Sequence, residues 1–209
     1  MPLPGEMLAG LRQIAAEGFL LAVVWHLAIL SVLAFSLFQP WRPSHRFAHV
    51  LLAMPLGSVS ALAFAYGNPF NGAVFALLTA AMLVLAVRSP PAPVEAGPRW
   101  ALVIGAMMIA LGLFYPHFLE SRGALAYLFG APVGLLPCPT LSLVIGFVLV
   151  GGGLESRTLS ALLGVSGLFY GIVGALRLGV WLDLGLLLGA AVLLILTWAP
   201  HPRGREAAA

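Results

Sequence analysis

Apolar runs of roughly 20 residues recur along the chain, each ended by a cluster of Pro, Gly, Asn or Arg, and a helix of that length crosses the hydrocarbon core of a bilayer. They fall at about Gly18–Phe38, Phe47–Tyr66, Phe70–Val87, Trp100–Leu119, Leu125–Val150, Thr158–Leu176 and Gly179–Trp198. The pattern predicts an all-α fold, a polytopic transmembrane bundle of about seven helices. It forms a single integral membrane domain over 1–209, with the first 17 or so residues and 200–209 as flanking tails.

The fifth run is irregular. Gly130, Pro132, Gly134, Pro137 and Pro139 crowd its first half. Each proline removes a backbone donor and obstructs the preceding turn, so this helix is broken and becomes regular only near Cys138 to Thr140. An unsatisfied backbone group in hydrocarbon costs several kcal/mol, so broken chain persists there only inside protein or against a wet cavity. The stretch from Gly130 to Thr140 is therefore expected to be internal.

Composition sharpens this reading. With 61% hydrophobic and 8% charged residues, the chain has far more apolar surface than a water-soluble domain of its size can bury. The cations are ten arginines and no lysine, against seven acidic residues. They are scattered, unlike the clustered basic face that nucleic acid requires, so no nucleic-acid partner is expected. An amphipathic polybasic segment of a peripheral membrane binder is missing too. With an odd number of spans, Arg42, Arg46, Arg88, Arg99, Arg157, Arg203 and Arg205 share the side of the C-terminus, and Arg12, Arg122 and Arg177 the other. The positive-inside rule then puts the N-terminus outside. The first run follows mixed residues including Glu6 and Glu17 and lacks a small-x-small cleavage site, which marks it as a retained span. Trp25, Trp41, Trp100, Trp181 and Trp198 lie mostly near run ends, at the headgroup level. Gly164, Gly167, Gly171 and Gly174, with Gly185 and Gly189, let helices approach closely within one subunit, or alternatively form a face for a homo-oligomer or membrane partner.

Soluble-enzyme signatures are absent: there is no Walker loop, dinucleotide glycine fingerprint, Gly-x-Ser-x-Gly elbow or His-Glu-x-x-His. Cys138 is the single cysteine, so no internal disulfide forms. Held between Pro137 and Pro139 ahead of Thr140, it sits at a helix start, a position that favours anions and suits a soft metal ion or a thiol-reactive group. The plain alternative is a small buried residue in a kink. On the assigned topology other polar groups share the outer side: Asn68 and Asn71 in a turn, His26 in the first span, His117 and Glu120 at the end of the fourth, and Arg177 and Asp183 beside the seventh. Ionisable groups at bilayer depth are costly and face a cavity or a partner, which suggests an outward-facing polar pocket. The inner half offers mainly serines and threonines. His117 and Glu120, three apart on a helix end, join Cys138 as candidate metal ligands, and Asp183 balances charge or pairs with Arg177. Each also has a structural role open to it: His26 bonding a neighbouring helix, Asn68 capping the third span, His117 and Glu120 simply wet. No cofactor is specified.

Tyr115-Pro116, the run Ala131-Pro132-Val133-Gly134-Leu135-Leu136-Pro137-Cys138-Pro139-Thr140 and the turn Asn68-Pro69-Phe70-Asn71 carry a likeness. The chain resembles a family of small bacterial multi-pass membrane proteins of unknown function with a Pro-Cys-Pro-Thr motif after a Tyr-Pro. The resemblance covers nearly the whole chain and implies a single membrane domain in the bacterial inner (cytoplasmic) membrane; it supplies no activity. Leu141 stands where that family has a second threonine, which puts a site built on two hydroxyls in doubt.

The functional expectation is binding or transport of a small solute or metal ion in the lipid bilayer. In it Cys138 and Thr140 form the floor of the pocket, and His117 and Glu120 its mouth. The rivals are an accessory subunit that docks a partner and an intramembrane enzyme or thiol-handling factor.

Overall fold

The computed structural model describes residues 3–38, 42–119, 123 and 125–198. Its helices are α1 (Pro4–Glu17), α2 (Phe19–Phe38), α3 (His45–Ala65), α4 (Pro69–Arg88), α5 (Arg99–Leu113), α6 (Ala126–Gly130), α7 (Pro137–Val150), α8 (Arg157–Ile172) and α9 (Asp183–Trp198). Local chemistry sets several of the starts. Ser44 and Ser156 accept from Phe47 N and Leu159 N, both at 3.2 Å, capping α3 and α8. Pro137 and Pro139 open α7 rather than break it, because the first backbone donors of a helix have no intrahelical partner to lose.

The pairs α5/α7 and α8/α9 run antiparallel. On the α5/α7 pair Gly105 faces Gly146 and Val150 while Gly112 faces Pro139 and Leu143. On the α8/α9 pair Gly164 faces Leu194 and Gly174 faces Asp183. The glycine stripe of α8 is thus packed on α9 of the same chain, and Gly185 and Gly189 meet Leu111 and Met108 of α5. One end of the bundle gathers the starts of α2, α4, α7 and α9 with the ends of α3, α5 and α8, through the pairs Gly18–Leu135, Asn71–Tyr170, His26–Leu113 and Tyr115–Asp183. The opposite end joins Arg46 to Ala86, Pro43 to Val94 and Gly97 to Val150.

By length and apolar composition α3, α4 and the run Arg157–Arg177 are each long enough to cross a membrane, and α1 with α2, bent by 69° at their junction, adds a fourth if the pair is one broken span. Large apolar side chains such as Leu20, Val24, Leu27, Leu77, Val103, Met107 and Leu188 point outward, as a lipid-facing surface requires. Helices α5, α7 and α9 have 15, 14 and 16 residues. They rise only about 21 to 24 Å, short of the roughly 30 Å of a bilayer core. Each is extended toward the same end by irregular chain whose Tyr115, Leu119, Val133, Leu136 and Val180 are buried, so its backbone polar groups are kept from apolar surroundings by protein.

Two expectations change. Residues Pro4–Glu17 form α1 instead of a tail, its Ile14 and Ala15 buried against the irregular end of the bundle. The fourth run stops being helical at Leu113, where Tyr115-Pro116 follows, so His117 lies in a loop and not on a helix end. Glu120, Trp41, Arg122, Arg203 and Arg205 lie outside the described residues.

Candidate functional site

Three departures from regular helix converge on one carboxyl group. The first is the segment after α5, where Phe118 adopts φ +77°, a left-handed conformation that a phenylalanine holds only under tertiary constraint. Its ring is buried and stacked on Tyr115 at 6.2 Å, and Leu119 N donates to the Tyr127 hydroxyl at 2.9 Å. The second is the approach to α7. Gly134 has φ +73°, a Cβ there would sit 2.3 Å from the Trp25 ring, and its N–H donates to Thr140 Oγ1 at 2.8 Å. The Thr140 hydroxyl donates in turn to Leu136 O at 2.7 Å, which closes the loop onto the helix it precedes. The third is a π-helical turn, Val173–Arg177, that ends α8 and swings its chain into Val180 N→Gly174 O, 2.9 Å.

Asp183 is the first residue of α9 and is only 1% exposed. Tyr115 donates its hydroxyl to Asp183 Oδ1 at 2.7 Å, and the Cys138 thiol faces the same carboxyl group. The other oxygen lies against the α-carbon of Gly174, where a Cβ would come within 1.7 Å of Oδ2. Any side chain at 174 would occupy the place of the carboxylate. Cys138 touches both the core around α7 and the smaller core that includes Ile14, Tyr115 and Leu135, and it keeps part of its surface exposed while Asp183, Tyr115 and Thr140 are closed off. A thiol, a phenol and a carboxyl are thus brought together in an apolar setting.

The sequence-predicted residues divide accordingly. Cys138 and Asp183 meet, Pro137 and Pro139 fix the thiol at the helix start, and Thr140 shapes the loop beside it. The broken stretch Gly130 to Thr140 is buried apart from half-exposed Cys138, as its chemistry demands. Asn71 belongs to the same end through Tyr170, whose hydroxyl donates to its Oδ1 at 2.9 Å, and Asn68 caps α4 by accepting from Asn71 N at 3.1 Å. His26 is 1% exposed and its Nε2 lies 2.7 Å from Leu113 O, so it satisfies a carbonyl left over at the end of α5. His117 is half-buried with its ring 4.3 Å from that of Phe118. Among the described residues no three His, Cys, Asp or Glu side chains lie close enough to hold a metal ion, so His117 does not complete a three-donor site with Cys138 and Asp183. Arg177 is exposed, and the polar side chains acting on Asp183 are Tyr115 and Cys138. Asp183, Tyr115 and Thr140 are closed off, and a cavity of about 20 Å³ lies between apolar residues of α2, α3 and α7.

Tyr115, Gly174 and Tyr170 were not evident as site residues. Tyr115 carries a signal in its pairing with Pro116, which stops a helix and frees the tyrosine to turn inward. Gly174 reads as one more member of a packing stripe.

Replacing Thr140 with valine is expected to lower stability by about 1 to 3 kcal/mol, because the buried Gly134 N–H loses its acceptor. Thr140→Ser should retain most of it. Thermal unfolding of the detergent-solubilised protein reads the difference, and equal melting of the two variants would contradict the role given to the hydroxyl.

Comparison of the chain with protein-family models, with curated proteins and with solved structures found no match.

Proposed function

We propose that this is a multi-pass protein of the bacterial cytoplasmic membrane, its seven apolar segments crossing with the N-terminus outside, and that the Tyr115–Cys138–Asp183 cluster binds a small solute or metal ion on its way into or across the bilayer. The observation that carries this reading is the buried Asp183 carboxyl shared by a phenol and a thiol. An ionisable group in a membrane interior is costly, and plain packing would be met better by an apolar side chain. The irregular backbone around it supports the same reading, since π-turns and broken membrane helices concentrate at binding sites. Cys138 and Asp183 supply a soft and a hard donor, a pair that suits a soft or borderline cation once both have lost their protons.

Titration of the reconstituted protein with Cd²⁺ tests this. Wild type is expected to develop the ultraviolet absorption of a cadmium–thiolate bond, Cys138→Ser to lose it, and Asp183→Asn to bind at least about tenfold more weakly. An impermeant maleimide added from the outside should label Cys138, and bound Cd²⁺ should protect it. A thiol inert from both sides, with no cadmium signal, would sink the proposal.

That outcome would leave a second reading, an accessory subunit whose polar residues are internal glue. It is favoured by the closure of Asp183, Tyr115 and Thr140.

A further inference from the structure

The end of the bundle opposite Cys138 holds a second polar cluster. His45 and His49 stand one turn apart at the start of α3, 2% and 0% exposed. Helix α3 runs antiparallel to α7: Leu51 and Leu52 share a cavity wall with Phe147, while Ser58 accepts from Trp25, which packs on Gly134. His49 therefore lies toward the C-terminal end of α7, and Cys138 at its start.

The two ring nitrogens of His49 differ in their surroundings. Its Nδ1 lies 2.7 Å from His45 O, and a carbonyl can only accept, so Nδ1 carries the proton and Nε2 the lone pair. That Nε2 is buried and has no hydrogen-bond partner. A backbone carbonyl on one ring nitrogen, fixing the tautomer and freeing the other, is the usual support of a ligating histidine. A buried acceptor left unmet costs about 1 to 3 kcal/mol, so something is expected to fill the position. His45 brings a second imidazole at the i, i+4 spacing by which two histidines on one helix face bind zinc. The Ser89 hydroxyl approaches His49 Nδ1 at 3.3 Å from the end of α4. Residues 90–93, exposed, cross over this end as a strap, held by His45 N→Ala92 O at 3.0 Å and Val94 N→Pro43 O at 2.8 Å. Arg46 is engaged with Ala86 O at 3.2 Å.

We propose that His45 and His49 form a binding site for a borderline transition-metal cation such as Zn²⁺, entered by displacement of the strap and completed by water. The site is independent of the cluster at Cys138: no residue is shared, and either can exist without the other.

Equilibrium dialysis of Zn²⁺ against the full-length protein in detergent, with zinc-edge X-ray absorption on the bound fraction, tests it. Wild type is expected to bind Zn²⁺ with an imidazole scattering signature. In the Cys138→Ser/Asp183→Asn background, which removes the other proposed cation site, affinity should fall at least about tenfold in His49→Gln and in His45→Gln and stay unchanged in His117→Gln. Binding unaffected by both histidine changes, or lost with Cys138 and Asp183, would overturn the assignment. If the histidine variants fail to fold, the absorption spectrum of wild type still decides, since a bound zinc without imidazole ligands refutes the site. Absence of zinc binding in wild type refutes it equally and leaves an ordered water as the occupant of Nε2.

Discussion

Alanine at position 174 is expected to destabilise the protein by about 3 kcal/mol or more and to change the reactivity of Cys138. The added Cβ would stand 1.7 Å from Asp183 Oδ2, well inside any tolerated contact, so the carboxyl group has to leave its seat. Overpacking alone costs about 1 to 3 kcal/mol. Displacement of the carboxyl also strands the buried Tyr115 hydroxyl, a further cost of about 1 to 3 kcal/mol. Gly10→Ala is the natural control, because nothing lies within 4 Å of a Cβ there. The second change should relieve the first: Gly174→Ala combined with Asp183→Ala is expected to lose less than the sum of the two single changes, by about 1 kcal/mol or more. Thermal unfolding of all four proteins and the rate of maleimide addition to Cys138 supply the measurements. A Gly174→Ala protein as stable as wild type, with an unchanged thiol rate, would mean that Asp183 is not seated as described.

How far the sequence discloses this arrangement depends on the range of the interaction. Helix positions are local, and the apolar runs with the Asn68 cap mark most of them. The Pro-rich stretch before Cys138 announces broken backbone, and the energetic penalty of such backbone in hydrocarbon places it inside. Asp183, the deepest acid of the predicted spans, stands out on the same grounds. What stays hidden is non-local. The break at Tyr115-Pro116 sends Tyr115 across the bundle to a residue 68 positions away. The end of α8 reads as regular helix, because a π-turn follows from the packing of Gly174 on Asp183 and not from composition. His45 and His49 form an i, i+4 pair in the sequence, but that spacing alone does not disclose that both are buried. The amphipathic residues before the first span read as a tail because 14 residues make a marginal helix alone; packing of Ile14 and Ala15 supplies what propensity does not.

The α5/α7 contact should be the least tolerant of added volume. Gly105 and Gly146 face each other so closely that a Cβ on either would meet the carbonyl oxygen of the other at 2.7 Å. These are backbone atoms, which cannot rotate away as a side chain can, so the two helices themselves must separate. Helix α7 has no room to move: Leu141, Leu143, Val144, Ile145 and Val148 are all at most 1% exposed, and α3, α8 and α9 pack around it. Gly146→Ala is therefore expected to cost about 3 kcal/mol, and Gly146→Leu to prevent recovery of a folded protein. Gly105→Ala should behave like Gly146→Ala. Once one methyl has forced the helices apart, the second meets a gap already opened, so Gly105→Ala/Gly146→Ala should fall short of additivity by about 1 kcal/mol or more. Displacement of α7 also moves Pro137 and Cys138 at its start, so each single variant should alter cadmium binding although both glycines lie two or more helical turns from the thiol. Full additivity in thermal unfolding, or wild-type stability of Gly146→Ala, would show that the two backbones are not in contact.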